Sequence, residues 1–462
     1  MKSSMIFMML SGLVAAGTVI PPQKADLSLT IYGNDRAFVH ERREAKIPAG
    51  RQKLIYQNVP RSLIAASVVP EFGGVPVTLY SQNYVYDLIS LPSMLNKSIG
   101  RTVAFYTNGR NPTRLEGTLL AAEPSVMVRE KVSGKIYALE KATQVLFPKI
   151  PPTMITRPSL VWNIDAAKAG KLQIDLKYLS QGLSWKSDYV LNLHPQRKKL
   201  DLTGWITVKN DSGVRYPNAR ITCLAGEVHL AREENEESFG ATRMLKAMPT
   251  PSVKEESFAG YHIYKIPFRE TIADKEQKQI RFLYRDNVTY ERYGKAVIAS
   301  FPREGETKLR FVNTLRFADT KKNDLGIPLP AGLIRMYSAD SNGSTHFIGE
   351  SRIGNIPADE NVTLKIGLLF DVTGEIRVVK YVARKGYRNV ISRYTLHNRG
   401  DEVLSLKLEE QIPTYGGTIH LRSTCAAPVC TSRKLTAFIR EFTVHLAPRQ
   451  SYSFDSEFEV IR

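Results

Sequence analysis

The sequence predicts a mainly β, multi-domain chain: immunoglobulin-like β-sandwiches plus a small SH3-like barrel insertion. Three observations lead there. Apolar and polar residues alternate at period two in many short segments, so each segment has one buried and one solvated face. Clusters of Asn, Asp and Gly separate the segments, and these residues tolerate the backbone angles of tight turns. With 462 residues and 43% apolar content, the chain exceeds one ordinary core.

The alternation is clearest over residues 171–228. Leu172, Ile174, Leu176 and Tyr178 alternate with Lys171, Gln173, Asp175 and Lys177. Tyr189, Leu191 and Leu193 repeat the pattern, as do Leu200, Leu202, Ile206 and Val208. The turn Asn210-Asp211-Ser212-Gly213 reverses the chain, and Ile221, Cys223 and Ala225 line a last buried face. Consecutive strands of this kind require a second sheet packed on the first.

The remaining elements follow in chain order. Residues 1–25 read as a signal peptide and short linker: Lys2, an apolar run over 5–20, and small residues that place cleavage after Ala16. A frayed terminus and a membrane anchor are the competing readings. Residues 26–94 form an N-terminal β region, with strands expected over 27–31, 36–47, 52–56 and 77–85. Residues 95–147 form the small barrel, with strands over 99–105, 115–120, 126–130 and 136–139. A Pro-rich stretch over 147–157 marks a boundary. The first sandwich spans 148–300 and is interrupted over 231–258 by a mobile insertion, acidic, then basic, then Pro/Ser-rich. Within it, later strands are expected over 261–267, 278–284 and 295–300. A β region occupies 301–370 and a C-terminal sandwich 371–462. Thr395-Leu396-His397-Asn398 before Arg399-Gly400 echoes Thr207-Val208-Lys209-Asn210 before Asp211-Ser212-Gly213, which suggests two related sandwiches.

The net charge of +19 points to nucleic acid, an anionic membrane or acidic glycans. Export argues against nucleic acid and leaves an envelope protein or an anionic glycan or lipid surface as partner. No later segment is apolar for long enough to span a bilayer. Cys425 and Cys430 form a C-x4-C loop that reads either as a small disulfide in an oxidising compartment or as two free thiols. Cys223 reads as a core residue.

Catalytic signatures are missing: there is no H-E-x-x-H, G-x-S-x-G, phosphate-binding loop or G-x-G-x-x-G. No catalytic residue, metal ligand or cofactor is assigned. Asp340, Asn342 and Ser344 begin like a calcium loop, but Gly343 is misplaced and Ser351 stands where a bidentate Glu belongs, so a hairpin turn is expected. Glu409 and Glu410 point to opposite faces of a strand and cannot act as a glycosidase pair. The candidate ligand-binding residues are aromatic. Trp185 and Tyr189 flank a strand entry, where they stack on a sugar ring or plug the sandwich end. Trp205 points away from Leu202 and Ile206, as a ligand platform or beneath a neighbouring loop.

Several stretches together resemble one family: Ser28 to Tyr32, YLSQGLSWKSDY (Tyr178 to Tyr189), LDLTGWITVKNDSG (Leu200 to Gly213), NARITCLAGEV (Asn218 to Val228), LGIPLPAG (Leu325 to Gly332) and FIGESRIGNIP (Phe347 to Pro357). The set resembles domain of unknown function 4139, a family whose members include proteins named mucoidy inhibitors. The resemblance runs from about Ser28 to the C-terminus. It implies a mostly β, export-associated protein with no established activity, and it transfers no catalytic residue. Longer members carry a coiled coil after the N-terminal strands. Here no heptad pattern occurs and the small barrel fills that region.

The resulting expectation is an exported, non-enzymatic β-sandwich protein of the cell envelope, periplasmic or extracellular, acting as a binding or scaffold module. The alternatives are a binder of anionic glycan or lipopolysaccharide, motivated by +19 and the tryptophans, and a hydrolase with residues from distant strands.

Overall fold

The computed structural model describes residues 17–108, 111–151, 154–226, 254–258, 261–299, 301, 305–413 and 416–462. The expected leader up to residue 16, and all of the 231–258 insertion before the strand Lys254–Phe258, lie outside the described residues. The chain is mainly β, 64% strand and 5% helix, in several sheets. No described helix is long and apolar enough to cross a membrane. Two compact units are present: Met1–Trp185 with Val208–Leu224 and Lys265–Lys278, and Lys186–Thr207 with Ala225–Tyr264 and Gln279–Arg462.

In the first unit, a four-stranded sheet runs in the order Thr18–Ile20, Gly50–Gln57, Ser159–Ala166, Val77–Val85. The opening strand falls after the expected cleavage point at Ala16, in the stretch read from sequence as a short linker. Thr18–Ile20 pairs in parallel with Leu54 to Tyr56, and Ile20 is fully buried. Three residues are too few for alternation to show. A second sheet contains Tyr216–Ala225, Asp26–Tyr32, Arg36–Ile47, Gly170–Gln181 and Val69–Gly73 in that order. The two sheets meet at Trp162, fully buried, whose ring lies 5.3 Å from Tyr56 and 5.8 Å from Phe72. Its indole N–H donates to Gln82 Oε1 at 2.7 Å, as a buried Trp requires.

Between the sheets lies a buried charge cluster. Glu41 and Arg43 sit two apart on Arg36–Ile47, so both face inward. Glu41 Oε1 accepts from Arg43 Nη2 at 2.8 Å and from the Tyr56 hydroxyl at 2.7 Å, while Lys24 pairs with Oε2. Arg43 also donates to Gln57 O at 2.6 Å and lies 3.8 Å over the Tyr56 ring. Burial pushes the Glu41 carboxyl up, but the charges of Arg43 and Lys24 and the donors around it overcome that and hold it at about 2.

The same unit carries a five-stranded antiparallel sheet in the order Ile136–Leu139, Val126–Glu130, Arg114–Ala121, Thr102–Tyr106, Val145–Leu146. Val103, Phe105, Leu119, Val126, Val128 and Leu139 form its own core. Gly117 is required there, because a Cβ would fall 2.3 Å from Arg129 O. The helix Leu91–Ser98 precedes this sheet and was not legible in the sequence. It is one short stretch capped by Ser90, with only Met94, Leu95 and Ser98 buried.

In the second unit, the larger sheet runs Thr345–Ile353, Gly332–Ala339, Leu183–His194, Lys199–Asn210, Glu276–Ile298, Leu404–Gln411, Ile439–Leu446, Cys430–Thr436. A five-stranded sheet runs Glu306–Leu309, Val372–Arg384, Tyr387–Asn398, Ser451–Ile461, Thr418–Ser423. Phe311, Tyr394, Leu396, Leu406, Phe442 and Phe454 belong to one core, with the Tyr394 and Phe454 rings stacked at 5.1 Å. The two strands expected over 278–284 and 295–300 are one strand of 23 residues, Glu276–Ile298. The polar middle that read as a break is paired across the sheet: Glu291 holds Arg316 at 2.6 Å and Lys407 at 2.8 Å, and Arg292 Nε donates to Asn313 at 3.0 Å.

The sequence echo has a geometric counterpart. Asn210, fully buried, donates to the Val214 carbonyl at 2.8 Å and accepts from Ser212 N at 3.1 Å. Asn398 does the same with Glu402 O at 2.8 Å and Gly400 N at 3.1 Å. Cys425 and Cys430 are bonded, with Cα atoms 5.2 Å apart, and Cys223 is buried and free.

Removing one partner from the Glu41 cluster strands a buried charge. Arg43→Ala is expected to cost about 3–5 kcal/mol in urea unfolding. Because the Glu41 carboxyl is held below its ordinary value of 4.5, its contribution is present above that pH and is lost as pH falls toward about 2. Glu41→Gln should therefore flatten the acid limb of the stability profile, as read by urea midpoints across that window.

Candidate functional site

The structure places two of the three candidate aromatics inside the protein. Trp185 is 7% exposed and its indole N–H donates to Leu224 O at 3.1 Å. Tyr189 is fully buried, its hydroxyl donating to Pro330 O at 2.7 Å and its ring 5.9 Å from Phe282. Of the two readings, stacking on a sugar or plugging the sandwich end, this burial favours the second. The ring of each fills the interior while its polar tip meets a carbonyl. Trp205 is half-buried on Lys199–Asn210.

Three of the stretches quoted from the sequence meet at one parallel strand pair. Leu183–His194 runs parallel to Gly332–Ala339, with Ser187 opposite Gly332, and Gly332–Ala339 pairs antiparallel with Thr345–Ile353. Ser187 Oγ donates to Ala331 O at 2.8 Å, and Asn355 Oδ1 accepts from Ala331 N at 2.9 Å. Leu329 and Ile356 exchange backbone bonds, each 2.9 Å. Gly332 is required, since a Cβ would lie 2.3 Å from Ser187 Oγ. Asp188 accepts from Thr207 Oγ1 at 3.0 Å and faces Lys186 and Arg335. These polar groups of the motifs thus satisfy one another.

Asp319 is the exception beside them. It is fully buried; its Oδ1 accepts from Gly326 N at 2.8 Å, while Oδ2 has no hydrogen-bond partner among the described residues. Burial pushes its carboxyl up to about 6 against the amides of Gly326 and Ile327, with Asp359 adding to the rise.

Two open features lie in the first unit, on the strand Val77–Val85 and its continuation. A groove of about 640 Å³ is lined by Tyr84, Tyr86, Asp87, Ser90, Ser93 and Lys97, among others. The Tyr84 and Tyr86 rings lie 5.4 Å apart, tilted by 32°. Tyr86 is 68% exposed, whereas the Tyr84 hydroxyl is pinned 2.9 Å from Pro60 O and 3.0 Å from Arg61 O. Burial pushes the Tyr84 phenol up, and neighbouring Tyr86 adds to this. Asp87 and Lys97 pair at the rim, and Ser90 caps the helix beside them. A notch of about 320 Å³ on the same strand holds Tyr80, with the Arg51 guanidinium 4.7 Å over its ring and Lys53 and Asn163 alongside.

Sequence reasoning missed these tyrosines because Val77–Val85 reads as an ordinary strand. Its signal was Tyr80, Tyr84 and Tyr86 in a stretch with few aliphatic residues to pay for a second buried face. Among the described residues no group of three His, Cys, Asp or Glu side chains is placed to hold a metal ion. The chain matches no family model and no curated protein.

The Asp319 carboxyl binds its proton more tightly in the folded chain than its ordinary value of 3.8 allows. Its contribution is therefore complete below that value and is lost as pH rises through about 6. Asp319→Asn removes this dependence. The melting temperature of the variant minus that of the wild type should rise across this window, as read by thermal unfolding at closely spaced pH values.

Proposed function

We propose that this chain is an exported, non-enzymatic binding protein of the cell envelope, periplasmic or extracellular, and that the Tyr84–Lys97 groove takes a saccharide. The groove carries the reading. It joins an exposed aromatic face to a small set of hydroxyl, carboxylate and ammonium groups, the combination that orients small polar ligands. A pyranose ring presents C–H groups that stack on the electron-rich face of a tyrosine, while its hydroxyls reach the polar rim. The Arg51–Tyr80 notch adds positive charge on the same strand, which favours an anionic glycan.

Export is supported by two features. The first described strand begins at Thr18, just past the expected cleavage point after Ala16, so cleavage there leaves every described strand whole. The Cys425–Cys430 bond suits an oxidising compartment. On this reading the chain is a relative of domain of unknown function 4139, its paired sheets are immunoglobulin-like sandwiches, and the sheet over 102–146 is an SH3-like barrel.

Calorimetric titration with purified envelope polysaccharides tests the proposal. Tyr86→Ala should weaken binding by about five- to tenfold with the fold intact, the loss of one aromatic stacking contact. Equal affinity of wild type and variant would remove the groove from the binding site. In vivo crosslinking that recovers one dominant protein and no glycan would make the chain a scaffold component instead.

A further inference from the structure

The notch on Val77–Val85 is built around a break in strand pairing. Where this strand meets Ser159–Ala166, Asn163 lies opposite Ser81 and Ile164 opposite Leu79. Tyr80 is therefore the extra residue of a β-bulge, a device that bends a strand and re-aims a side chain. Tyr80 is 55% exposed, and the Arg51 guanidinium lies 4.7 Å over its ring.

Strand register puts the neighbouring polar groups on the same outer face. On Gly50–Gln57, Gln52 and Leu54 are buried, so Arg51 and Lys53 leave the strand on its other side, and both are exposed. Lys53 lies opposite Asn163, and Asn163 opposite Ser81. The Asn163 amide donates to Ser81 Oγ at 2.5 Å, which leaves its Oδ1 as an acceptor. Arg51, Lys53, Tyr80 and Asn163 together line the notch of about 320 Å³. The carboxylate facing Arg51 is that of Asp165, directly opposite on the middle strand. The guanidinium reaches past it to Tyr80, and among the described residues neither Arg51 nor Lys53 forms an ion pair.

We propose that this notch binds the carboxylate of a uronic acid residue, an inference that rests on the saccharide reading above and narrows it to an acidic sugar. A guanidinium laid on an aromatic ring keeps its in-plane N–H donors free, and two parallel donors match the two oxygens of a carboxylate. Lys53, two residues along on the same face, adds a second positive charge about 7 Å away. The pyranose that bears the carboxylate brings hydroxyl donors for Asn163 Oδ1.

The test is calorimetric titration of the full chain with a galacturonate trisaccharide and with the neutral galactose trisaccharide. The uronate should bind more tightly, and its advantage should shrink as salt rises. Arg51→Ala should weaken uronate binding about tenfold, the loss of charged hydrogen bonds, and leave the neutral sugar unchanged. Arg51→Lys, which keeps the charge and loses the fork, should fall between. Asp165→Asn removes the opposing carboxylate and should tighten uronate binding about two- to fivefold. Lys53→Ala, with a smaller loss, serves should Arg51→Ala unfold, with circular dichroism as the control. Equal binding of the two sugars, weakened only by Tyr86→Ala, would overturn this inference and leave the groove standing. Binding of neither sugar would remove both. Arg51-dependent binding of a triglutamate peptide as tight as that of the uronate would overturn the sugar assignment.

Discussion

A carboxylate enclosed between sheets constrains each unit. In the first, Glu41 is surrounded by Arg43, Lys24 and Tyr56. In the second, Glu410 accepts from Tyr394 at 2.8 Å, Ser456 at 2.7 Å and Arg440 at 2.7 and 3.0 Å. Both clusters combine a carboxylate, a guanidinium and a tyrosine, and in both the arginine lies over an aromatic ring, Tyr56 or Phe442. Burying such charges is costly unless every donor is in place, so only one register of the contributing strands is tolerated. A slip by one residue would turn Glu41 or Glu410 to the other face and leave its partners uncompensated. The clusters thus act as register locks for strands whose alternating apolar residues alone would fit more than one pairing.

The same logic applies to a set of residues around Gly332–Ala339. Ser187, Tyr189, Ala331 and Asn355 are tied to one another around a Pro-rich loop, which fixes a parallel strand pair with no hairpin to hold its register. Such residues invite a catalytic reading in one dimension. In three dimensions the donors and acceptors named here are occupied by one another, and an open groove with an aromatic wall and a polar rim lies elsewhere, in the first unit.

The candidate site was poorly legible in the sequence. Trp185 and Tyr189 stood out because large aromatics beside a strand entry suit either a core or a ligand, and burial decides between the two. Tyr84, at the end of an edge strand, and Tyr86, just beyond it, belong to no period-two or spacing pattern that marks a groove.

The sequence by itself determined the mainly β class, the four strands over 170–225, the hairpin turn at Asp340 and the equivalent turns at Asn210 and Asn398. These follow from local rules: side-chain alternation of period two and the backbone freedom of Asn, Asp and Gly. The tertiary structure alone decided that 276–298 is one strand, that Thr18–Ile20 joins a sheet, and that Glu41, Glu410 and Trp162 are interior. It also decided which aromatic and basic groups face solvent together. Those outcomes depend on partners far along the chain, and a charged residue reads as a surface residue until its counter-charge is brought beside it.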